Sequence, residues 1–227
     1  VNVSSNPCNN NNMMMDDNED HSTGSEQEEG ETPTLLLEYN QSNQSSFFDV
    51  ATTPTPPTTK FSLSISSLVQ IPNGAFCHQH LLQSVHLSDD LESIGEKAFY
   101  GCHSLTEITI PSLVHKIEQE AFAECSHLKT VVFAAASLPF CQLEPLIFAN
   151  CKSLQSLDLS RRHNLEMIPN EFCIGCSSLC TVQLPVSLKR INSSAFVRCR
   201  SLRELRLPET LEEIGDNAFL KCSNLTT

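Results

Sequence analysis

The chain has 227 residues, 40% of them hydrophobic and 18% charged, enough for one sizeable core or two small ones. Fourteen Lys and Arg against 27 Asp and Glu leave a formal charge of −13. That balance excludes the cationic field that would gather nucleic-acid phosphates or an anionic membrane surface. No run reaches the roughly 18 consecutive apolar residues of a membrane-spanning helix, so no membrane segment is expected. The sequence opens on Val1 rather than Met, which leaves intracellular and cell-surface locations both open.

Residues 1–60 form the first compositional region. They carry ten acidic side chains and one basic one, Lys60, together with the Asn9–Asn12 run, the Met13–Met15 triplet and the Thr/Pro stretch 52–59. Low hydrophobicity with one-sided charge cannot offset an ordering entropy of about 1–2 kcal/mol per residue, which predicts a disordered acidic tail. Leu35-Leu36-Leu37 and Phe47-Phe48 are its short docking segments.

From residue 61 a repeat takes over. An Ala-Phe pair recurs with Cys three places after Phe and Leu three places after Cys. The Ala slot falls at Ala75, Ala98, Ala121, Ile147, Phe172, Ala195 and Ala218. The Phe slot holds Phe76, Phe99, Phe122, Phe148, Cys173, Phe196 and Phe219. Each Leu opens an L-x-x-L-x-L pattern whose last two apolar positions alternate with period two, as at Ile108/Ile110 and Leu157/Leu159, the mark of a short strand. Pro111, Pro185 and Pro208 close three of these strands. A second apolar pair follows at spacing three, from Leu68/Ile71 to Leu211/Ile214, and leads into segments such as GEKAFYGC, for which a short helix or helical turn is expected. One unit cannot cover its own apolar side, whereas stacked units with parallel strands can. About six to seven repeats result, the last breaking off inside a unit.

The segments IGEKAFYGCHSLTEITIP (94–111) and IGDNAFLKCSNL (214–225) closely resemble the leucine-rich repeat of the BspA-like family, approximately IG-x-x-AF-x-x-C-x-x-L-x-x-I-x-I-P. The resemblance runs from residue 68 to 227. It implies an α/β repeat solenoid: a right-handed, curved stack with a parallel sheet on its concave face used for recognition, and no catalytic residues to carry over. Departures lie at the insertion Ala134–Pro145, at Arg161-Arg162-His163 and at Phe172/Cys173.

Six of the eleven cysteines, Cys102, Cys125, Cys151, Cys176, Cys199 and Cys222, share one slot, which suits a buried free thiol acting as a small hydrophobe. Cys173-x-x-Cys176 followed by Cys180 has the spacing for zinc or thiol exchange. Packing already assigns the first two of these inward, so no metal and no cofactor is expected. His78, His80 and His86 read as solvated surface residues rather than ligands. Asn2, Asn40, Asn43, Asn192 and Asn224 begin N-x-S/T triplets, which arise often by chance in such sequence. No G-x-S-x-G, phosphate loop or H-E-x-x-H is present, and the chain reads as non-enzymatic.

Residues between the inward strand positions should line the concave face. One column reads Ser84, Glu107, Thr130, Ser156, Thr181, Glu204, and the next His86, Thr109, Val132, Asp158, Gln183, Arg206. These small, mixed and polar side chains suit a protein surface or a glycan better than a small molecule. The expected function is a protein–protein interaction module. The alternatives are a cell-surface adhesion or recognition domain for extracellular protein or glycan, and a regulatory repeat region of a larger enzyme or receptor.

Overall fold

The computed structural model describes residues 60–135 and 142–226, together with the backbone of 34–37. Phe47-Phe48, the rest of the expected acidic tail and the middle of the insertion fall outside the described residues.

The strands are short because each coil turns again after a few residues. Along β6 (Glu107–Ile110) and β8 (Thr130–Phe133) exposure alternates strictly, with Ile108, Ile110, Val131 and Phe133 buried and the residues between them exposed. Period-two sequence thus becomes a strand with one face inward. These two strands sit in an eight-stranded parallel sheet that also contains β1 (Thr34–Leu37), β2 (Phe61–Ile65), β4 (Leu82–His86), β10 (Ser156–Asp158), β12 (Thr181–Gln183) and β14 (Glu204–Leu205). Its order is β1-β2-β4-β6-β8-β10-β12-β14, one strand from each successive coil. Strand β1 lies within the segment read as tail and pairs with β2 from Thr34↔Ser62 to Leu37↔Ile65.

Register converts the sequence columns into physical ones. Ser62 pairs with Ser84, Ser84 with Glu107, Glu107 with Thr130, Ser156 with Thr130 and Thr181, and Thr181 with Glu204. One residue on, Leu63, Val85, Ile108, Val131, Leu157, Val182 and Leu205 form the inward column in the same register.

The second apolar pair of each repeat lies on another side of the coil. There β3 (Gln70–Ile71), β5 (Ser93–Ile94), β7 (Lys116–Ile117) and β9 (Gln142–Leu143) make a four-stranded parallel sheet. A separate three-stranded sheet holds β11 (Met167–Ile168), β13 (Arg190–Ile191) and β15 (Glu213–Ile214). Close approach of adjacent backbones explains the Ile-Gly pair. A Cβ on Gly95 would stand 2.7 Å from Asn73 N and 2.8 Å from Ile71 O.

The third side corrects one expectation. No helix forms among the described residues; the GEKAFYGC segment is a run of turns. Its N–H groups alternate in destination: Ala98, Tyr100 and Cys102 donate to Gly95 O, Lys97 O and Phe99 O within the coil, while Lys97, Phe99 and Gly101 donate to Gln119 O, Ala121 O and Ala123 O of the next. A helix would keep every N–H inside its own segment. Alternation needs left-handed residues, and Lys97 (φ 55) and Gly101 (φ 68) are left-handed here, as are their counterparts Glu120 (φ 56) and Glu124 (φ 61). Three backbone ladders therefore tie each coil to its neighbours, except between β9 and β11, where the second ladder is interrupted.

The interior is a set of continuous stacks. Phe76–Phe99, Phe99–Phe122 and Phe122–Phe148 stack with centroids 5.1, 5.2 and 5.7 Å apart. Where Cys173 takes the Phe slot, Phe172 supplies the ring from the preceding position, fully buried and edge-on to Phe148 at 5.4 Å. The fifth repeat thus keeps a ring against Phe148, and stacking resumes between Phe196 and Phe219, 5.6 Å apart. Cys173 is itself fully buried, in keeping with its inward assignment.

At the fourth repeat the outer sheets separate. There Arg162, only 1% exposed, reaches back across the insertion-bearing coil. Its Nη1 donates to Val114 O at 3.0 Å and its Nη2 to Pro111 O at 3.1 Å. Its guanidinium carbon lies 5.2 Å from the centre of the Phe133 ring. The Arg161-Arg162-His163 departure is therefore a clamp between coils.

Candidate functional site

The outward face of the eight-stranded sheet holds the twelve residues singled out in the sequence. His86, Glu107, Thr109, Thr130, Val132, Ser156, Gln183, Glu204 and Arg206 are exposed, while Ser84, Asp158 and Thr181 are half-buried. Arg206 lies just beyond β14 rather than within it. Two of the twelve are already engaged. Ser84 Oγ donates to Ser62 Oγ at 2.7 Å. Asp158 Oδ1 accepts from the Ser160 amide at 2.9 Å and the Ser160 hydroxyl at 2.6 Å, so it closes the turn after β10.

A hollow of about 430 Å³ opens over the first coils. Four of the twelve residues meet there: Ser84, His86, Glu107 and Thr109. The strand face of β2, β4 and β6 forms its floor, and residues after the strands, among them Asp89, Ser112 and Ala134, supply its wall. The other eight residues lie along the face outside it. Asp89 and Ser112 were missed by the sequence columns because they sit in the loops. Their readable signal is polarity immediately after a strand end, at Ser88-Asp89-Asp90 and Pro111-Ser112.

The cysteine slot proves more specific than burial alone implies. Every thiol in it donates to a main-chain carbonyl of the preceding coil: Cys102 to Phe76, Cys125 to Phe99, Cys151 to Phe122, Cys176 to Phe148, Cys199 to Cys173 and Cys222 to Phe196, at 3.0–3.2 Å. Small volume and a weak S–H donor together suit this position. Burial pushes the Cys102 thiol up to about 12 and raises Cys125, Cys151 and Cys173 as well. Cys199 is raised by its hydrogen bond with Cys222 and by burial, and the same bond lowers Cys222. The five raised thiols, Cys102, Cys125, Cys151, Cys173 and Cys199, are protonated packing elements at neutral pH, unlike the exposed low-pKa thiols of redox sites. Cys180 stands off the column and is disulfide-bonded.

The histidines form a surface column. His80 Nδ1 lies 3.0 Å from Gly101 O, His103 Nδ1 2.9 Å from Glu124 O and His127 Nδ1 2.6 Å from His103 O. The His80 and His103 rings stack at 4.8 Å. His78 and His80 are exposed, and His86 projects separately from the strand face. Among the described residues no group of three His, Cys, Asp or Glu is placed to hold a metal ion. Among the same residues no helix is long and apolar enough to cross a membrane.

Parallel strands in register on one side, ladders on two others and a continuous Leu/Ile/Phe/Cys interior define a leucine-rich repeat β-solenoid. The chain belongs to the BspA type leucine rich repeat family, whose profile matches residues 55–139 and 135–226 with six copies. Among solved structures it is similar to a leucine rich repeat protein of T. pallidum, at 30% identity and a TM-score of 0.66, covering 73% of this chain and 78% of that one. It is also similar to a leucine rich cell surface protein from Faecalibacterium prausnitzii, at 28% identity and a TM-score of 0.60 over 72% of this chain. A leucine-rich repeat protein from Bacteroides ovatus aligns at 26% identity and a TM-score of 0.53 over 73% of this chain. This chain spans 46% of the Faecalibacterium protein and 48% of the Bacteroides one. No curated protein matches it.

Proposed function

We propose that the chain is a non-enzymatic recognition module that binds a partner protein through the outward face of its eight-stranded sheet. The observation that carries this reading is the in-register polar column from Ser62 to Glu204, which offers a repetitive surface of small side chains. Strands stacked about 4.8 Å apart present that column as an elongated strip rather than a closed pocket, the shape that suits an extended protein surface. The test is the combined substitution H86A/T109A/D158A/R206A. It is expected to abolish partner capture while leaving the melting curve within a few degrees of the parent; unchanged capture refutes the face.

A second reading has a specific support. The similar Faecalibacterium protein is described as a cell surface protein, and the disulfide at Cys180 fits an oxidising compartment. In that reading the same face meets an extracellular protein or a glycan.

A further inference from the structure

The hollow over the first coils carries two carboxylates and one imidazole, that of His86, over an apolar floor that includes Leu63, Val85 and Ile108. Glu107 and Asp89 both line it, Ser62, Ser84 and Thr109 add hydroxyls to the same lining, and no Lys or Arg is present there. Glu107 and Asp89 are exposed, so both carboxylates stand ready for a ligand. The lining also lacks any Phe, Tyr or Trp, the flat surfaces on which a sugar ring would stack. At about 430 Å³ the space lies in the lower part of the range for small-ligand sites, room for a side chain and the backbone beside it. Long-range charge points the same way. Within residues 61–135 eight acidic side chains face three basic ones, Lys97, Lys116 and Lys129. Lys97 pairs with Glu96 and Glu120, and Lys116 with Glu118, so two of the three cations are engaged away from the hollow. In contrast, four of the chain's arginines, Arg198, Arg200, Arg203 and Arg206, gather near the opposite end.

We infer that this hollow receives a lysine or arginine side chain from the partner protein, with Glu107 and Asp89 as its carboxylate partners. The inference rests on the recognition-face reading and gives that face its specificity. Hydroxyls and carboxylates together match the several N–H donors of a guanidinium, and opposed charge adds orientation and association rate. An acidic side chain would meet two carboxylates there, with the His86 imidazole as the one basic group facing it.

The experiment is an amide NMR titration of the full chain with acetyl-Gly-Gly-Arg-Gly-Gly-amide, with the Glu counterpart and a neutral oligosaccharide as parallel probes. The expected result is a saturable shift at Ser84, Glu107, Thr109 and Ser112 with the Arg peptide alone. D89N/E107Q is expected to weaken that response at least tenfold while amide positions outside the hollow keep their shifts. E107K serves as the second variant and is expected to lose the response while remaining folded. The inference is overturned by no shift at 20 mM peptide, by an equal response to the Glu peptide, by shifts confined to the acidic segment 16–31, or by a response to the oligosaccharide only. Capture that survives D89N/E107Q but not the four-residue substitution removes the cation pocket and keeps the face. Capture that survives both removes the face itself.

Discussion

Replacing Arg162 with Met keeps the length of the side chain and removes its charge and donors. Arg162 is buried at 1% exposure and bridges to two carbonyls of the coil two before it. Pro111 O would still accept from the Val114 amide at 3.3 Å, whereas Val114 O would lose the guanidinium. An unsatisfied buried acceptor costs about 1–3 kcal/mol, and the second charge-assisted bond adds about 1.5–3 kcal/mol. Loss of the contact with Phe133 adds roughly another 0.5–2 kcal/mol. Relief of charge burial offsets several kcal/mol of this, leaving a net destabilisation of about 2–4 kcal/mol. At roughly 2–4 °C per kcal/mol for a domain of this size, the melting temperature should fall by about 5–15 °C. Hydrogen exchange should quicken first in residues 107–117 and 156–168, the two segments that the guanidinium joins. Arg162→Lys should recover only part of the loss, because a single ammonium nitrogen cannot occupy the separate positions from which Nη1 and Nη2 reach the two carbonyls. A Met variant that melts at or above the parent temperature, with unchanged exchange in both segments, would refute the clamp.

Three further outcomes follow from the packing. The Cys102 thiol is held at about 12 against 9.0 when exposed. Its contribution is therefore complete below about pH 9 and is lost as pH rises toward the folded value, at about 1.4 kcal/mol per pH unit. Denaturant titrations between pH 8 and 11 should show Cys102→Ala with a correspondingly flatter loss than the parent, and parallel curves would contradict the buried thiol. Gly95→Ala should destabilise by about 1–3 kcal/mol, since its Cβ would press on the Asn73 and Ile71 backbone atoms; an unshifted urea midpoint would count against that close approach. Leu157→Asp puts an unpaired charge where Leu157 is 1% exposed, and should unfold the neighbouring coils. An unaltered melting curve would contradict its inward phase.

The columns were legible because a nearly fixed period needs only counting. Once Ala98 aligns with Ala121, the register of Glu107 beside Thr130 follows, and the structure pairs them so. The turn segment was misread for a physical reason. Apolar residues at spacing three, such as Phe99 and Cys102, suit a helical turn, and sequence does not say that alternate N–H groups leave for the next coil. Arg162 looked like a local disturbance because its acceptors, Pro111 and Val114, lie about fifty residues away. The thiol slot was readable as buried, but its donor role was not: the acceptor is a main-chain carbonyl, which no residue letter records. The hollow was half legible. Its floor follows the strand columns, while Asp89 and Ser112 enter through loop geometry.

Site-specific photocrosslinking tests the recognition face most directly. A photoreactive side chain would be placed at Thr109 or Gln183 on the outward sheet, and at Gln70 or Arg190 on the other sheets, all of them exposed. Partner protein should crosslink to the first pair and not to the second. Crosslinks that form from Gln70 and Arg190 but not from Thr109 and Gln183 would rule out the outward sheet as the binding face.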